Sequence, residues 1–179
     1  MKEIISIIPA RGGSKGIPKK NIINFLGKPL IYWTIKSSLE CKFINRTIVS
    51  SDNDEIIKIS KKYGAEVIFK RPKKLSLDNS KSLDAIKHCV EFLKKKEKYS
   101  PYAVVTLQPT SPFRNSKHLD QAIKKFLKFK NADSLVSVQE LPHIYDPYSV
   151  MKKKNDLLEF IFKEKNKNET IRQKKKNIL

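Results

Sequence analysis

The sequence predicts an α/β protein, a mostly parallel sheet covered on both faces by helices. Short apolar runs rich in β-branched residues alternate five times with stretches of helical periodicity, the links are short, and the first run passes directly into a glycine-rich loop. This order suits parallel strands joined by crossover helices and buried on both sides. A ligand site is then expected at the carboxyl ends of the strands.

Ile4 to Ile8 reads as a buried strand, halted by Pro9 and followed by Gly12, Gly13 and Gly16. The loop ends near Gly27. Pro29 sits where a first helical turn tolerates proline, and Leu30, Trp33, Thr34 and Ser37 to Leu39 continue a helix. Ile48 to Ser50 gives a second strand. Asp52, with Glu55 three residues later, predicts a capping box for a helix through Ile56, Ile59 and Tyr63, stopped by Gly64.

Val67 to Phe69 reads as a third strand, and Ser82 as the cap of a helix carrying Ala85, Ile86, Cys89, Val90 and Leu93 on one side. Val104 to Leu107 is expected as a fourth strand. Ser116 is expected to cap another helix, with Leu119, Ile123 and Phe126 or Leu127 facing inward, before a fifth strand at Leu135 to Val138. After Pro142 no second clean α/β unit follows. The sequence therefore divides into an α/β domain over 1–141 and a segment over 142–179, either an arm that packs on another subunit or an incomplete region; its apolar Leu157, Leu158, Phe160 and Ile161 need a partner surface.

Of 179 residues, 39% are hydrophobic, enough for one core, and 31% are charged, with 38 Lys and Arg against 18 Asp and Glu for a formal charge of +20. That charge raises nucleic acid as a partner. Only five of the basic residues are Arg (Arg11, Arg46, Arg71, Arg114, Arg172), the residue suited to bidentate reading, so no nucleic-acid partner is expected. A phosphorylated or acidic small substrate is well served by such a field. Cys41 and Cys89 are isolated and read as buried free thiols. No signal-peptide pattern and no apolar stretch approaching ~20 residues is present, which predicts a soluble, cytoplasmic protein without a membrane partner.

The chemistry concentrates in Pro9-Ala10-Arg11-Gly12-Gly13-Ser14-Lys15-Gly16-Ile17-Pro18-Lys19-Lys20-Asn21. Glycines let backbone N–H groups approach an anion, Ser14 adds a hydroxyl donor, and Arg11, Lys15 and Lys20 supply charge, as a triphosphate cradle requires. The stretch is not a G-x-x-x-x-G-K-[ST] loop, because Ile17 stands where the second glycine is needed, and it has no G-x-G-x-x-G order. The bland alternative is a glycine-rich turn with solvated lysines.

IPARGGSKGIPKKNI, followed in order by VSSDNDEI, RPKKLSLDNSKSLDAI and LQPTSPFR, resembles the acylneuraminate cytidylyltransferases, or CMP-sialic acid synthetases, over roughly residues 4 to 140. The related KDO cytidylyltransferases, with a shorter loop and an acidic residue in place of Gln108-Pro109-Thr110, fit less well. The resemblance implies a Rossmann-like fold of the nucleotide-diphospho-sugar transferase type. It also implies activation of a nine-carbon 2-keto sugar acid by CTP, with Mg²⁺ present, to give a CMP-sugar and pyrophosphate.

By that resemblance Arg11 and Lys20 are the catalytic phosphate-binding cations. Ala10, Gly12, Gly13, Ser14 and Lys15 complete the nucleotide loop, and Asn21 lies near the ribose. Arg71, Ser80 and Ser82 fall where the family holds the cytosine, whose O2 and N3 accept from donors of these kinds; taken alone, Arg71 reads as a loop surface charge. Gln108 matches the residue that meets the sugar or the reacting phosphate, and Ser111 is either a sugar contact or a turn former. Asp52 reads as a helix cap and Asp78 as loop structure rather than as metal ligands.

Family members continue past this point through a Pro-Asn-Gly segment and a strand whose D-x-D pair holds Mg²⁺, and neither pattern occurs here. The metal ligands therefore stay unassigned. The resemblance leads to the expectation of a C-terminally shortened chain with its nucleotide loop intact, active or reduced to a nucleotide-binding remnant. The segment after the fifth strand crosses between subunits in the family, which implies a homodimer.

Overall fold

The structure, a computed structural model, describes residues 2–14, 16–138, 151–155 and 157–160. The chain divides into two compact units, Met1–Ala132 and Asp133–Leu179. The expected boundary at 141/142 lies outside the described residues.

In the first unit β1 (Ile4–Pro9) is the central strand, with its carboxyl end turning into the glycine loop. A short hairpin follows, β2 (Asn24–Phe25) and β3 (Lys28–Pro29), closed by Leu26 at φ 52° and Gly27 at φ 78°. Two consecutive left-handed residues make this tight turn, and the glycine takes that conformation without steric penalty. Helix α1 (Leu30–Leu39) then leads to β4 (Arg46–Ser50), and α2 (Asp54–Lys62) ends at Gly64 with φ 88°. The chain continues through α3 (Ser82–Phe92), which closes in a π-type turn over Leu93–Glu97, then β5 (Ala103–Thr106) and α4 (Ser116–Lys128).

The sheet is parallel in the order β4-β1-β5, in register Ile7↔Ile48 on one side and Ile5↔Val104 on the other. β1 alternates between two cores. Ile4 and Ile8 join Ile31 and Ile35 of α1, Ile56 of α2 and Leu119 and Ile123 of α4, while Ile5 and Ile7 join Ile48 with Cys89 and Leu93 from α3 and its terminal turn. The expected double-sided α/β architecture is therefore present, with three helices on one face and α3 on the other. On the first face Ser38 Oγ lies 2.6 Å from Ser6 Oγ and 2.8 Å from Thr47 Oγ1, so the buried hydroxyls there satisfy one another.

Several sequence-based expectations are corrected. Val67 to Phe69 is not a strand; after a single parallel bridge between Ile48 and Glu66 the run turns its side chains into the two cores. Leu135 to Val138 is not a strand either. It has no ladder partner among the described residues, and Val136 is 76% exposed. β-propensity without a neighbouring edge makes no strand.

The caps shift by one residue where a better acceptor sits in extended backbone. Asn53, not Asp52, caps α2 by accepting from Ile56 N at 3.0 Å, and Asn115, not Ser116, caps α4 in a box with His118. Ser82 is the first residue of α3, whose cap position is Lys81.

In the second unit β6 (Met151–Lys154) and β7 (Leu157–Phe160) pair antiparallel, with Lys152 opposite Glu159 and 3.7 Å between Nζ and Oε2. Leu157 is exposed, and Ile161 lies outside the described residues. No helix among the described residues is long and apolar enough to cross a membrane.

Both cysteines are free and buried, as expected. Burial pushes the Cys89 thiol up to about 12 and, with Asp120 accepting from Sγ at 3.1 Å, the Cys41 thiol up to about 11. Unfolded thiols ionise near 9.0, so the unfolded state loses these protons first and the thiols' contribution to stability falls as pH rises above 9.0. We expect the denaturation midpoint to drop above that pH, and a disulfide reagent at neutral pH to label both thiols only at the rate of unfolding. Rapid labelling of either thiol in the native protein would contradict the burial.

Candidate active site

Because the three strands of the sheet are parallel, their carboxyl ends open on one side, and the segments after β1, β4 and β5 converge there. Ala10 continues the ladder by donating to Ser50 O at 3.0 Å and is fully buried, so it forms the root of the loop. Two long-range bonds then set the loop. Gly12 N donates to Asp52 Oδ1 at 3.0 Å, and Asn21 Nδ2 donates to Arg11 O at 2.9 Å. Asp52 thus has a role that a reading as helix cap did not supply. At Gly12 an added Cβ would lie 2.8 Å from Asn53 Cβ, so the close approach of two chain segments requires glycine; at Gly13 and Gly16 an added Cβ meets nothing.

These segments enclose a cleft of about 390 Å³ lined by Arg11, Ser14, Lys20, Asn21, Arg71, Ser80, Ser82 and Gln108, which the sequence had singled out. It thereby gathers residues from both ends of the 9–21 motif and from two distant blocks. Gly12, Gly13 and Ser111 do not line it, and Lys15 lies outside the described residues. Ser111 N donates to Gln108 O at 3.3 Å, the geometry of a turn.

Arg71 is a buried cation in the cleft wall. It is 5% exposed, its backbone N is anchored to Ser51 O at 2.8 Å, and its Nε and NH2 have no hydrogen-bond partner among the described residues. Asp52 Oδ1 stands 3.7 Å from NH2, an ion-pair distance too long for a hydrogen bond. Burial lowers the Arg71 pKa, and the charge of Asp52 offsets part of that effect. A buried guanidinium with idle donors on the wall of a cleft calls for an acceptor from outside the chain. The reading of Arg71 as a loop surface charge fails on its burial.

Polar residues that sequence reasoning did not assign to the site also line or brace it. Lys81 and Thr110 line the cleft, and Asp78 lines it while pairing with Arg11. Arg114 NH2 donates to Gln108 O at 3.1 Å and holds the turn after β5; burial lowers its pKa as well. Its position inside the LQPTSPFR block was the available signal. The cleft lining holds the cations Arg11, Lys20, Arg71 and Lys81 against the carboxylate of Asp78 among the described residues, a field suited to a polyanion. No three His, Cys, Asp or Glu side chains among the described residues converge into a metal-binding group, and the carboxylate that lines the cleft is Asp78.

The chain is 44% identical over 124 residues to the pseudaminic acid cytidylyltransferase of Campylobacter jejuni, covering 69% of this chain and 53% of that protein. It is 37% identical over 137 residues to the N-acylneuraminate cytidylyltransferase of Escherichia coli, covering 76% of this chain and 31% of that protein. The chain thus spans about half the length of the first relative and under a third of the second. Among solved structures, a CMP:2-keto-3-deoxy-manno-octonic acid synthetase complexed with CTP matches in fold with a TM-score of 0.59 at 20% identity, over 72% of this chain and 49% of that one. The family described as cytidylyltransferase matches residues 5–177, and with the parallel sheet and loop in place over the same region, the chain belongs to the cytidylyltransferase family.

Proposed function

We propose that the protein activates a nine-carbon 2-keto sugar acid of the sialic-acid type with CTP. In this reading the anomeric hydroxyl oxygen forms a bond to the α-phosphorus, the bond from that phosphorus to the bridging oxygen breaks, and pyrophosphate leaves with the bond electrons while the hydroxyl proton passes to solvent. The observation that carries it is the buried Arg71 guanidinium, whose Nε and NH2 have no hydrogen-bond acceptor among the described residues, in the same cleft as Arg11, Lys20 and Ser14. A base offering O2 and N3 satisfies Arg71, and the triphosphate lies toward the glycine loop.

Arg11 and Lys20 stabilise charge as it moves onto the bridging oxygen and pyrophosphate, which preorganised cations do best in a confined cleft. Ser14 donates to the same anion. Ser80 and Ser82 flank the base, Asn21 braces the loop near the ribose, and Gln108, fixed through its carbonyl by Arg114, faces the sugar acid or the reacting phosphate. Mg²⁺ belongs to this reading as a companion of the triphosphate, its protein ligands unassigned.

The sugar is assigned to the sialic-acid class rather than to KDO on the 44% and 37% identities to the pseudaminic acid and N-acylneuraminate enzymes, because the KDO synthetase shares the fold at 20% identity. A homodimer and a cytoplasmic location complete the proposal. Exposed apolar side chains such as Leu157 support the dimer, and a monomer by light scattering would remove it.

Incubation with CTP and N-acetylneuraminic or pseudaminic acid is expected to release pyrophosphate, and Lys20→Ala to lower turnover about a hundredfold with the fold retained. Release with KDO alone would move the assignment to the sister family. CTP binding without product would leave a nucleotide-binding remnant, and no binding would end the nucleotide reading.

The two glycines give an independent check. Gly12→Ala is expected to lower the thermal midpoint through its clash with Asn53, whereas Gly13→Ala, which meets nothing in the fold, should unfold like the parent and weaken CTP binding. Unchanged CTP affinity in Gly13→Ala would detach that glycine from the nucleotide.

A further inference from the structure

Arg11 does not wait open for an anion. Its NH1 donates to Leu77 O at 3.0 Å and to Asp78 Oδ1 at 2.9 Å, so both NH1 hydrogens are committed to a turn 66 and 67 residues away in sequence. An end-on, two-point grip on a phosphate needs NH1 together with NH2. The Asp78 carboxylate therefore holds a position that a phosphate oxygen would take. The pair is also poorly placed to serve as a stability device: its side chains are 35% and 49% exposed, and ion pairs of that kind contribute little to folding. It lines instead the cleft that also holds Lys20, Lys81 and Arg71, and the charge of Arg11 contributes to lowering the Arg71 pKa.

Resting on the nucleotide reading of the cleft, we propose that Asp78 is an internal stand-in for phosphate and an affinity-determining residue of the site. With the cleft empty its carboxylate neutralises Arg11 and ties the 77–80 turn, whose Ser80 lines the cleft, to the glycine loop. A polyphosphate displaces it from NH1. The exchanged carboxylate then stands next to the bound anion and weakens the hold on it, which favours release of pyrophosphate after transfer.

The test is calorimetric titration of inorganic pyrophosphate, and separately of CTP, into the parent, Asp78→Asn, Arg11→Gln and the double variant at one salt concentration, with thermal midpoints to confirm folding. Asp78→Asn is expected to tighten pyrophosphate about two- to fivefold, the scale of a half-exposed ion pair, and the gain should vanish in the Arg11→Gln background. Asp78→Ser should behave like Asp78→Asn.

An equal gain in both backgrounds would reduce Asp78 to bulk negative charge. Unchanged or weaker binding in both Asp78 variants would make it a structural prop, and absence of pyrophosphate binding in every protein would overturn the proposal. Pyrophosphate binding with the expected coupling but no CTP binding would sink the cytidine reading alone and leave the exchange standing.

Discussion

Everything in the first unit depends on β1 being buried on both faces between two parallel neighbours. Ile5, Ile7 and Ile8 are fully buried, and each face of the strand seeds a separate core. Burying such side chains contributes roughly 1.5–3 kcal/mol each, so the strand's position is strongly determined. Its end is fixed with it. Ala10 still pairs with Ser50, and the chain enters the glycine loop already aligned with the carboxyl ends of β4 and β5. A loop rooted in this way can hold Arg11 opposite a turn 67 residues away without a rigid element of its own.

The opposite ends of the strands show what a purely structural cation looks like. Arg46, at the start of β4, donates to Glu66 at 3.0 Å and to Glu97 at 2.7 Å, stacks over Tyr99, and has its pKa raised by these carboxylates. Arg71 and Arg114, at the carboxyl ends, have pKa values lowered by burial. Arg71 has one carboxylate at 3.7 Å, and Arg114 has the neutral acceptors Gln108 O and Thr34 Oγ1. Both kinds of arginine lie at ends of one sheet, and among the described residues Arg71 and Arg114 keep buried guanidinium donors unused. The buried cations at this end of the sheet are less satisfied than folding alone would favour, and the well-packed sheet beneath tolerates that burden.

The local pattern was informative wherever a short period or a short motif carries the physics. Strands at Ile4–Pro9, Arg46–Ser50 and Ala103–Thr106, the four helices and the stop at Gly64 follow from apolar spacing and backbone preference, which act within a few residues. The 9–21 motif pointed to phosphate through residue types alone, and Arg11, Ser14, Lys20 and Asn21 do share one cleft. Cap positions were off by one because Asp52-Asn53 and Asn115-Ser116 each offer two acceptors, and only the backbone conformation of the folded chain selects between them.

Periodicity and composition encode burial and charge locally, and so the class of fold, the end of the sheet where the cleft lies and a stretch rich in groups suited to an anion are legible along the chain. The tertiary structure alone decided that Val67 to Phe69 packs rather than pairs, that Asp52 braces Gly12, that Arg71 is buried with idle donors, and that Asp78 sits on Arg11. Each of these is a relation between segments distant in the chain or between a side chain and the interior that encloses it. Such relations exist only once the strands are aligned, and no window along the chain contains both partners.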